Sequence, residues 1–412
     1  MDLLLFCLPW LLVGLYMALF VRIPPGLSSA PQHGSEKRPS VSVIVPARNE
    51  AANIPALLSS LTALEYPDYE VLVVDDRSDD GTPELVVATH PGNAREVHLI
   101  RGESLPEGWF GKPWACFQGA RAARGEFLLF TDADTQHEPS LLSDAMATMD
   151  SEGADVLTLI GRQVMGSFWE RLLQPQFFML LAARFPRVGK PRSTNQWRHA
   201  IANGQYLLFR KEVYEELGGH GVVRGEVVED MRLAQLLVQG GWRLVVREGR
   251  GLKTRMYRSL GGLIEGWGKN IATGALQATG GWLLPVILPL SLVVGLCLWL
   301  LPPAALVWAL MGKTGGLVFQ FGALTTGFGV LYWALATGVM RANPLYGLLY
   351  PLGSVLAAVI FVRSWMRGGQ IEWKGRHYHM PRESRTFASS AGAAGYQPEK
   401  GRGPHRGERK TP

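Results

Sequence analysis

The chain has 412 residues, of which 47% are hydrophobic, and a formal net charge of +6 at pH 7. This length is enough for one sizeable α/β domain and additional segments. The sequence contains no helix-turn-helix, zinc-finger or aromatic RNA-binding pattern, so nucleic acid is not a predicted partner. The three cysteines, Cys7, Cys116 and Cys297, provide neither a disulfide framework nor metal-ligand spacing, which favours a reducing compartment.

An apolar run over residues 3–21 is about as long as a helix that crosses the hydrocarbon of a bilayer. Only Asp2 precedes this run, whereas a cleaved signal peptide begins with Lys or Arg. Arg22 follows it, so the positive-inside rule places the rest of the chain in the cytoplasm. We therefore predict a retained anchor over residues 1–22, in a multi-pass protein of the cell membrane.

Residues 38–265 have the pattern of a water-soluble α/β domain. Three short buried strands are predicted, at residues 41–45, 70–74 and 127–130, and helical patterns alternate with them. Such alternation indicates a mostly parallel sheet, and ligands of open sheets bind beyond the carboxyl ends of the strands. A polar cluster follows each of the three strands, which predicts a ligand site at this edge.

The clusters after the first two strands are suited to a nucleotide. Pro46-Ala-Arg-Asn-Glu50 follows the first strand, and Asp75-Asp76 follows the second. One carboxylate of the pair Asp75-Asp76 can accept hydrogen bonds from a base or a ribose. The alternative is ordinary loop chemistry, because Asp, Ser and Gly are common in turns.

Asp132-Ala-Asp134 follows the third strand. Two carboxylates so close together can both reach a hard divalent cation, which prefers oxygen ligands and often keeps substrate phosphates in its shell. Such a cation would neutralise the charge that develops on a departing nucleoside diphosphate. The alternative is that both aspartates serve the turn.

Two further positions are candidates for chemistry at the same edge. Lys112, in a Gly-Lys-Pro-Trp loop, can reach a phosphate, although an isolated lysine is usually solvated. Glu229 and Asp230 precede an apolar helical pattern, so Asp230 is either a helix N-cap or a general base for an acceptor hydroxyl. A base is required because an alcohol is a poor nucleophile at neutral pH.

Residues 280–366 are predicted to form transmembrane helices, in three blocks at residues 282–301, 317–340 and 345–362. Pro302-Pro303 and the stretch 341–344 are predicted to separate them, because proline interrupts helices. Three crossings would place the C-terminal segment outside, whereas its basic residues favour the cytoplasm. Either a shorter fourth element lies within residues 303–311, or one block is re-entrant.

The last two segments are basic. Residues 367–381 mix aromatic and basic side chains as an interfacial segment would, and Arg376 has the fork geometry that suits a pyrophosphate. Residues 382–412 have low-complexity character and are predicted to form a disordered basic tail.

Four motifs resemble those of family 2 glycosyltransferases, in the same order and at similar spacing. They are Val-Ile-Val-Pro-Ala-Arg-Asn-Glu (43–50), Val-Val-Asp-Asp-Arg-Ser-Asp-Asp-Gly-Thr (73–82), Thr-Asp-Ala-Asp (131–134) and Val-Glu-Asp (228–230). The resemblance implies a GT-A fold, an α/β domain with a Rossmann-like mixed sheet, here with transmembrane helices. The stretches 203–205, 218–220, 254–257 and 265–267 are similar to the branch that glycosylates carotenoid acids or is associated with hopanoid synthesis.

The resemblance also implies a donor site and a metal. Pro46, Arg48 and Glu50 would border the nucleotide, and Asp75 or Asp76 would contact its base and ribose. The donor would be a nucleotide-diphospho-sugar, with a UDP-sugar favoured. Asp132 and Asp134 would hold the sugar nucleotide and Mg²⁺ or Mn²⁺. Lys112, Glu229 and Arg376, predicted above from their residue types, complete the expected substrate site together with Asp132.

For the reaction, the resemblance implies a single inverting displacement with Asp230 as catalytic base and a lipid or isoprenoid acceptor. The Gln-x-x-Arg-Trp signature of processive synthases does not occur after Asp230. Transfer of one sugar to a lipid is therefore favoured over polymer synthesis. The alternatives are a cell-envelope polysaccharide synthase and a non-catalytic membrane protein that binds nucleotide sugar.

Overall fold

The computed structural model describes residues 2–29, 38–189, 193–279, 284–312, 315–367, 370–373 and 376–379. The helices are α1 (Asp2–Phe20), α2 (Ile54–Leu61), α3 (Thr82–Val87), α4 (Gly111–Ala122), α5 (Leu141–Ser151), α6 (Phe168–Arg184), α7 (Lys211–Leu217), α8 (Glu229–Gly240), α9 (Leu260–Thr279), α10 (Leu284–Leu310), α11 (Gly316–Val339) and α12 (Tyr350–Arg367). The strands are β1 (Val41–Ala47), β2 (Tyr69–Asp75), β3 (Val97–Arg101), β4 (Phe127–Phe130), β5 (Thr135–His137), β6 (Val156–Gln163), β7 (Leu207–Arg210), β8 (Leu244–Thr254), β9 (Gln370–Trp373) and β10 (Arg376–His379). The predicted tail of residues 382–412 lies outside these ranges.

Eight strands form one sheet in the order β3-β2-β1-β4-β7-β6-β8-β5. The first four run parallel to one another, whereas β7 is antiparallel to both of its neighbours, β4 and β6. The sheet is therefore mixed rather than mostly parallel. Because β1, β2 and β4 are parallel and adjacent, their carboxyl ends lie at one edge, as the sequence predicts.

Two hydrophobic cores lie on opposite faces of this sheet. Successive strand residues point to opposite faces, so Val43 and Val45 of β1 join one core and Ile44 joins the other. Helices α2 and α5 cover the first face, and α4, α7 and α8 cover the second. In α4, Gly119 allows a close approach, because a Cβ there would lie 2.4 Å from Ile44 Cγ2. This contact fixes the helix whose first turn carries Lys112.

Four segments are long and apolar enough to cross a membrane: Leu3–Phe20, Pro289–Leu310, Gly316–Val339 and Pro344–Arg367. The predicted break at Pro302-Pro303 is wrong, since α10 continues through both prolines. A proline at position 302 removes the amide that would bond to the carbonyl of Leu298. The indole of Trp10 in α1 donates to that carbonyl instead, at 2.8 Å. This interhelical hydrogen bond satisfies the oxygen that the proline leaves without its helical donor, so the helix tolerates the proline.

The third predicted block is two elements, a 3₁₀ helix (Pro344–Leu349) followed by α12. The 3₁₀ helix runs back along α11, since Gly347 contacts the backbone of Ala334. Helix α12 then packs on α6 and α9, in a cluster that joins Phe177, Trp267 and Ile360. No separate fourth element occupies residues 303–310, because they belong to α10.

Candidate active site

The loops after β1 and β2 brace each other. The guanidinium of Arg48 donates to the carbonyls of Asp76 at 2.6 Å and Arg77 at 3.1 Å. The amide of Glu50 donates to the Thr82 hydroxyl at 2.9 Å, at the start of α3. The described contacts of Arg48 and Glu50 therefore order the two loops that border the end of the sheet.

A polar pocket of about 380 Å³ opens beyond β2. Asp75 is 4% exposed and lines this pocket, with both carboxylate oxygens 3.3 Å from the backbone amide of Ser78, which donates to them. The pocket is also bordered by Arg77, Asp79 and Arg101. Its size lies within the range of ~300–1,000 Å³ that is usual for small-molecule sites.

Asp76, next to Asp75, faces a different partner. It accepts both arms of the Arg376 guanidinium, at 2.5 Å and 3.0 Å, across 300 positions of the chain. Burial raises the pKa of the Asp76 carboxyl, although Arg376 opposes this shift. The two aspartates thus do different things: Asp75 lines the pocket, and Asp76 holds the segment beyond the last apolar helix against the sheet edge.

Lys112 lies at the centre of the site. Its Nζ is 2.7 Å from Asp132 Oδ1 and 2.8 Å from Glu229 Oε1. Burial would lower the pKa of Lys112, but the carboxylates of Asp132, Glu229 and Asp230 outweigh it and raise the pKa well above its usual value. Lys112 is therefore a permanent cation between two walls of the cleft, one after β4 and one at the start of α8.

The Asp230 carboxylate accepts two backbone hydrogen bonds, from Gly204 at 2.8 Å and from Met231 at 2.7 Å. The N-cap of α8 is Val228, so Asp230 lies in the first turn and is not the cap. Burial, followed by the charge of Glu229, raises the pKa of Asp230 to about 6, with Lys112 acting in the opposite direction. A carboxylate with such a pKa is deprotonated at neutral pH and is a stronger base than an ordinary aspartate.

The loop at Gly204 closes the space between these groups. A Cβ at this position would lie 2.8 Å from Lys112 Nζ and 3.3 Å from Asp230 Oδ2. Only glycine lets this backbone approach both charged groups without displacing one of them. In the sequence, residues 203–205 showed only a similarity to one branch of the family.

Lys269 of α9 is a further residue of the site, and no motif in the sequence indicated it. Burial lowers the pKa of Lys269 to about 8, and the charges of Glu229, Asp132 and Asp230 act in the opposite direction. The site therefore contains a second ammonium, contributed by a helix that packs on α12. The available signal was an ionisable side chain in a mostly apolar helix, which is a reason to suspect a function.

Asp132 and Asp134 lie in the turn between β4 and β5, as the motif predicts. Among the described residues, no group of three or more His, Cys, Asp and Glu side chains could hold a metal ion. Mg²⁺ and Mn²⁺ are commonly held by one or two carboxylates together with substrate phosphates, and the Asp132 side chain is 28% exposed toward the cleft. The pair therefore fits a cation that is completed by a diphosphate.

The structure brings most of the predicted site residues to one place. Pro46, Lys112, Asp132, Glu229 and Asp230 line one small cavity. Asp75 lines the neighbouring pocket, whereas Arg48, Glu50, Asp76 and Arg376 connect the surrounding loops.

Comparison with known proteins gives a consistent assignment. Residues 42–218 match the model of the family described as glycosyl transferase family 2. The 4,4'-diaponeurosporenoate glycosyltransferase of Staphylococcus aureus (strain USA300) is 29% identical over 363 residues, which are 84% of this chain and 89% of the relative.

Two solved structures align with this chain over most of its length. Mannosyltransferase PcManGT from Pyrobaculum calidifontis, solved with GDP-Man and Mn²⁺, has a TM-score of 0.49 and 19% identity, and covers 88% of this chain and 94% of its own. S. aureus TarS 1–349 in complex with UDP-GlcNAc has a TM-score of 0.40 and 16% identity, and covers 85% and 99%. The predicted fold class, a GT-A domain with a mixed sheet and apolar helices long enough to span a membrane, is confirmed.

Proposed function

We propose that this chain, a glycosyltransferase whose residues 42–218 match the family 2 model, transfers one sugar from a nucleoside diphosphate to a lipid acceptor at the cytoplasmic membrane face. The observation that carries the proposal is Lys112, which bridges Asp132 and Glu229 beside Asp230. A fixed cation between donor-side and acceptor-side carboxylates is suited to a reaction in which a diphosphate leaves while an O–H group loses its proton.

On the donor side, the pocket at Asp75 takes the base and ribose, and a UDP-sugar is the first candidate. The diphosphate lies toward Lys112, whose ammonium stabilises the negative charge that grows on the leaving group. Asp132 and Asp134 would hold Mg²⁺ or Mn²⁺, which would neutralise further charge on the diphosphate. Arg376 holds Asp76 and keeps the C-terminal segment over the diphosphate end.

On the acceptor side, Asp230 accepts the proton of the acceptor O–H group. The acceptor oxygen forms a bond to the anomeric carbon while the bond from that carbon to the phosphate oxygen breaks. The nucleoside diphosphate leaves with the electron pair, so the configuration of the sugar inverts in one displacement. The raised pKa of Asp230 supports this role, because its conjugate acid is closer in strength to the group it deprotonates.

The acceptor is a lipid, because the site lies beside helices that are suited to a membrane. Trp267 and Phe177 stack at 4.5 Å in the cluster formed by α6, α9 and α12, and Lys269 extends from the same helix α9 toward the charged site. The name of the Staphylococcus aureus relative described above includes a carotenoid acid, 4,4'-diaponeurosporenoate. We therefore assign an elongated apolar acceptor, such as a carotenoid or a hopanoid, whose polar end reaches Asp230.

The segment from Pro344 to Arg367 is re-entrant in this proposal and does not cross the membrane. Two contacts support it: Arg341 before the segment lines a cavity with Arg162, and Arg376 after it pairs with Asp76. In a variant without native cysteines, Met366→Cys should react with a membrane-impermeant thiol reagent from the cytoplasmic side, and Met311→Cys from the opposite side. Labelling of both positions from one side would contradict this topology.

A donor panel tests the proposed reaction. Detergent-purified protein and a native lipid extract are incubated with UDP- and GDP-sugars and Mn²⁺, and release of nucleoside diphosphate is followed. We expect release with one donor, dependent on the lipid, and lost in Asp132→Asn but not in the exposed control Asp150→Asn. A donor that binds without any release would favour a binding protein. Several sugars on one water-soluble product would favour a polysaccharide synthase.

A further inference from the structure

A cavity of about 270 Å³ lies away from the catalytic groups, where the α/β domain meets the apolar helices. Its walls come from the end of β6, from the first turn of α6 and from the loop between α11 and the 3₁₀ helix. The polar residues that line it are Arg162, Gln163, Arg171, Arg341 and Asn343. The volume is close to the lower end of the ~300–1,000 Å³ that small-molecule sites occupy.

The charge of this cavity is not balanced by the protein. Three arginines line it and no acidic residue does. Arg171 donates to the carbonyls of Met165 and Gly166 at 3.1 Å and 3.4 Å. Within the part of the chain that the structure describes, Arg162 and Arg341 form no ion pair. Guanidinium groups gathered without carboxylates are suited to an anion with several acceptor oxygens, such as a phosphate.

The backbone supports a specific role for Arg341. This residue has a φ of 58°, a left-handed conformation that favours glycine, directly after α11. Helices commonly end with glycine at this place, because a residue with a Cβ is disfavoured in the left-handed conformation. An arginine held there, with its side chain at the cavity, indicates that the side chain itself is used.

The cavity also lies next to segments that are apolar enough to enter a membrane. Arg341 stands between the apolar segments Gly316–Val339 and Pro344–Arg367. Beside it, Leu345 is 67% exposed and Leu348 is 60% exposed, so acyl chains can cover apolar surface next to the cavity. An anion that occupies the arginines therefore has hydrocarbon within reach.

We propose that these three arginines bind the phosphate of an anionic membrane phospholipid, whose acyl chains lie along the exposed leucines after Arg341. The site is separate from donor and acceptor binding and does not rest on the proposed reaction. The cavity is connected to the loop at Gly204 in the catalytic site, because the side-chain amide of Gln163 in the cavity wall donates to Gln205 at 3.2 Å, and Gln205 follows Gly204. The bound lipid fixes the orientation of the α/β domain on the membrane.

Lipid retention by the full-length protein tests this site. The protein in a nonionic detergent is titrated with phosphatidylglycerol or phosphatidylcholine, and native mass spectrometry counts the lipids that remain bound. We expect phosphatidylglycerol to be retained in preference. Loss of two arginines in Arg162→Gln/Arg341→Gln should weaken its retention about 30-fold, since one basic residue near a lipid surface contributes about fivefold.

The matched control is Arg121→Gln/Arg224→Gln, which removes the same charge from two exposed arginines outside the cavity. Arg341→Lys keeps the charge and should retain part of the binding. Equal retention by the cavity variant and the native protein, or an equal loss in the control, would overturn the proposal. Displacement of the lipid by millimolar inorganic phosphate would show that the ligand is a soluble anion and would overturn the lipid assignment.

Discussion

Replacing Gly204 by alanine would place a methyl group between Lys112 and Asp230. The new Cβ would lie 2.8 Å from Lys112 Nζ, which is closer than side chains ordinarily approach. The backbone at Gly204 does not have a positive φ, so alanine requires no change of main-chain conformation. The flexible end of Lys112 is the part that moves.

The size of this movement gives the size of the effect. Nζ has to retreat about 0.6 Å to restore an ordinary contact of 3.4 Å. Its contacts with Asp132 and Glu229, now 2.7 Å and 2.8 Å, then reach lengths at which hydrogen bonds are weak. A hydrogen bond to a charged group contributes about 1.5–3 kcal/mol. We therefore expect Gly204→Ala to lower kcat/KM by roughly ten- to hundredfold.

The assay is release of nucleoside diphosphate with the donor that the panel identifies. Gly221→Ala is the matched control, because its Cβ would lie at an ordinary 3.8 Å from Phe117. Both variants should keep the native thermal unfolding midpoint. The acid limb of the pH profile should move upward in Gly204→Ala, since Lys112 lowers the pKa of Asp230. A kcat/KM of Gly204→Ala equal to that of the native protein would refute the role of the Lys112 contacts in the reaction.

Three further predictions concern the same site. Below pH about 6, kcat/KM should fall about tenfold per pH unit as Asp230 is protonated, and Lys112→Met should move the midpoint of this fall to higher pH. A pH–rate profile measures both effects, and a flat profile would count against Asp230 as the base. Arg376→Lys should raise the KM for the donor about tenfold, because lysine cannot reproduce the bidentate contact with Asp76. An unchanged KM would show that the pair of Asp76 and Arg376 does not contribute to donor binding. Chelation with EDTA should abolish release of nucleoside diphosphate, and added Mn²⁺ should restore it. Asp134→Asn should require more Mn²⁺ for half-maximal activity. A release rate that EDTA does not change would contradict the metal requirement.

The convergence of the site was predictable because it depends on strand order. Asp75 is the last residue of β2 and Asp132 follows β4, and these strands run parallel to β1 on either side of it, so both aspartates lie at one edge of the sheet. Hydrophobic patterning located these strands, and the polar residues after them identified the edge. The apolar pattern also indicated a helix after Glu229, and α8 begins at that residue. This helix brings Asp230 to the same edge of the sheet.

The remaining features depend on contacts between distant parts of the chain. The unbroken path of α10 through Pro302 depends on a donor from Trp10, nearly 300 positions earlier. The pair of Asp76 and Arg376 likewise spans 300 positions. Lys269 reaches the site only because α9 packs on α12 and α6. No local pattern contains such information, since periodicity and capping report on neighbours within one element.

The most direct test of the account is the Asp230→Asn variant in the release assay. Asparagine has nearly the same shape but cannot accept the acceptor proton. We expect the variant to bind the donor as the native protein does and to release nucleoside diphosphate at least about a hundredfold more slowly, as loss of a general base commonly produces. Donor binding with release at the native rate would contradict the assignment of Asp230 as the base and, with it, the proposed mechanism of transfer.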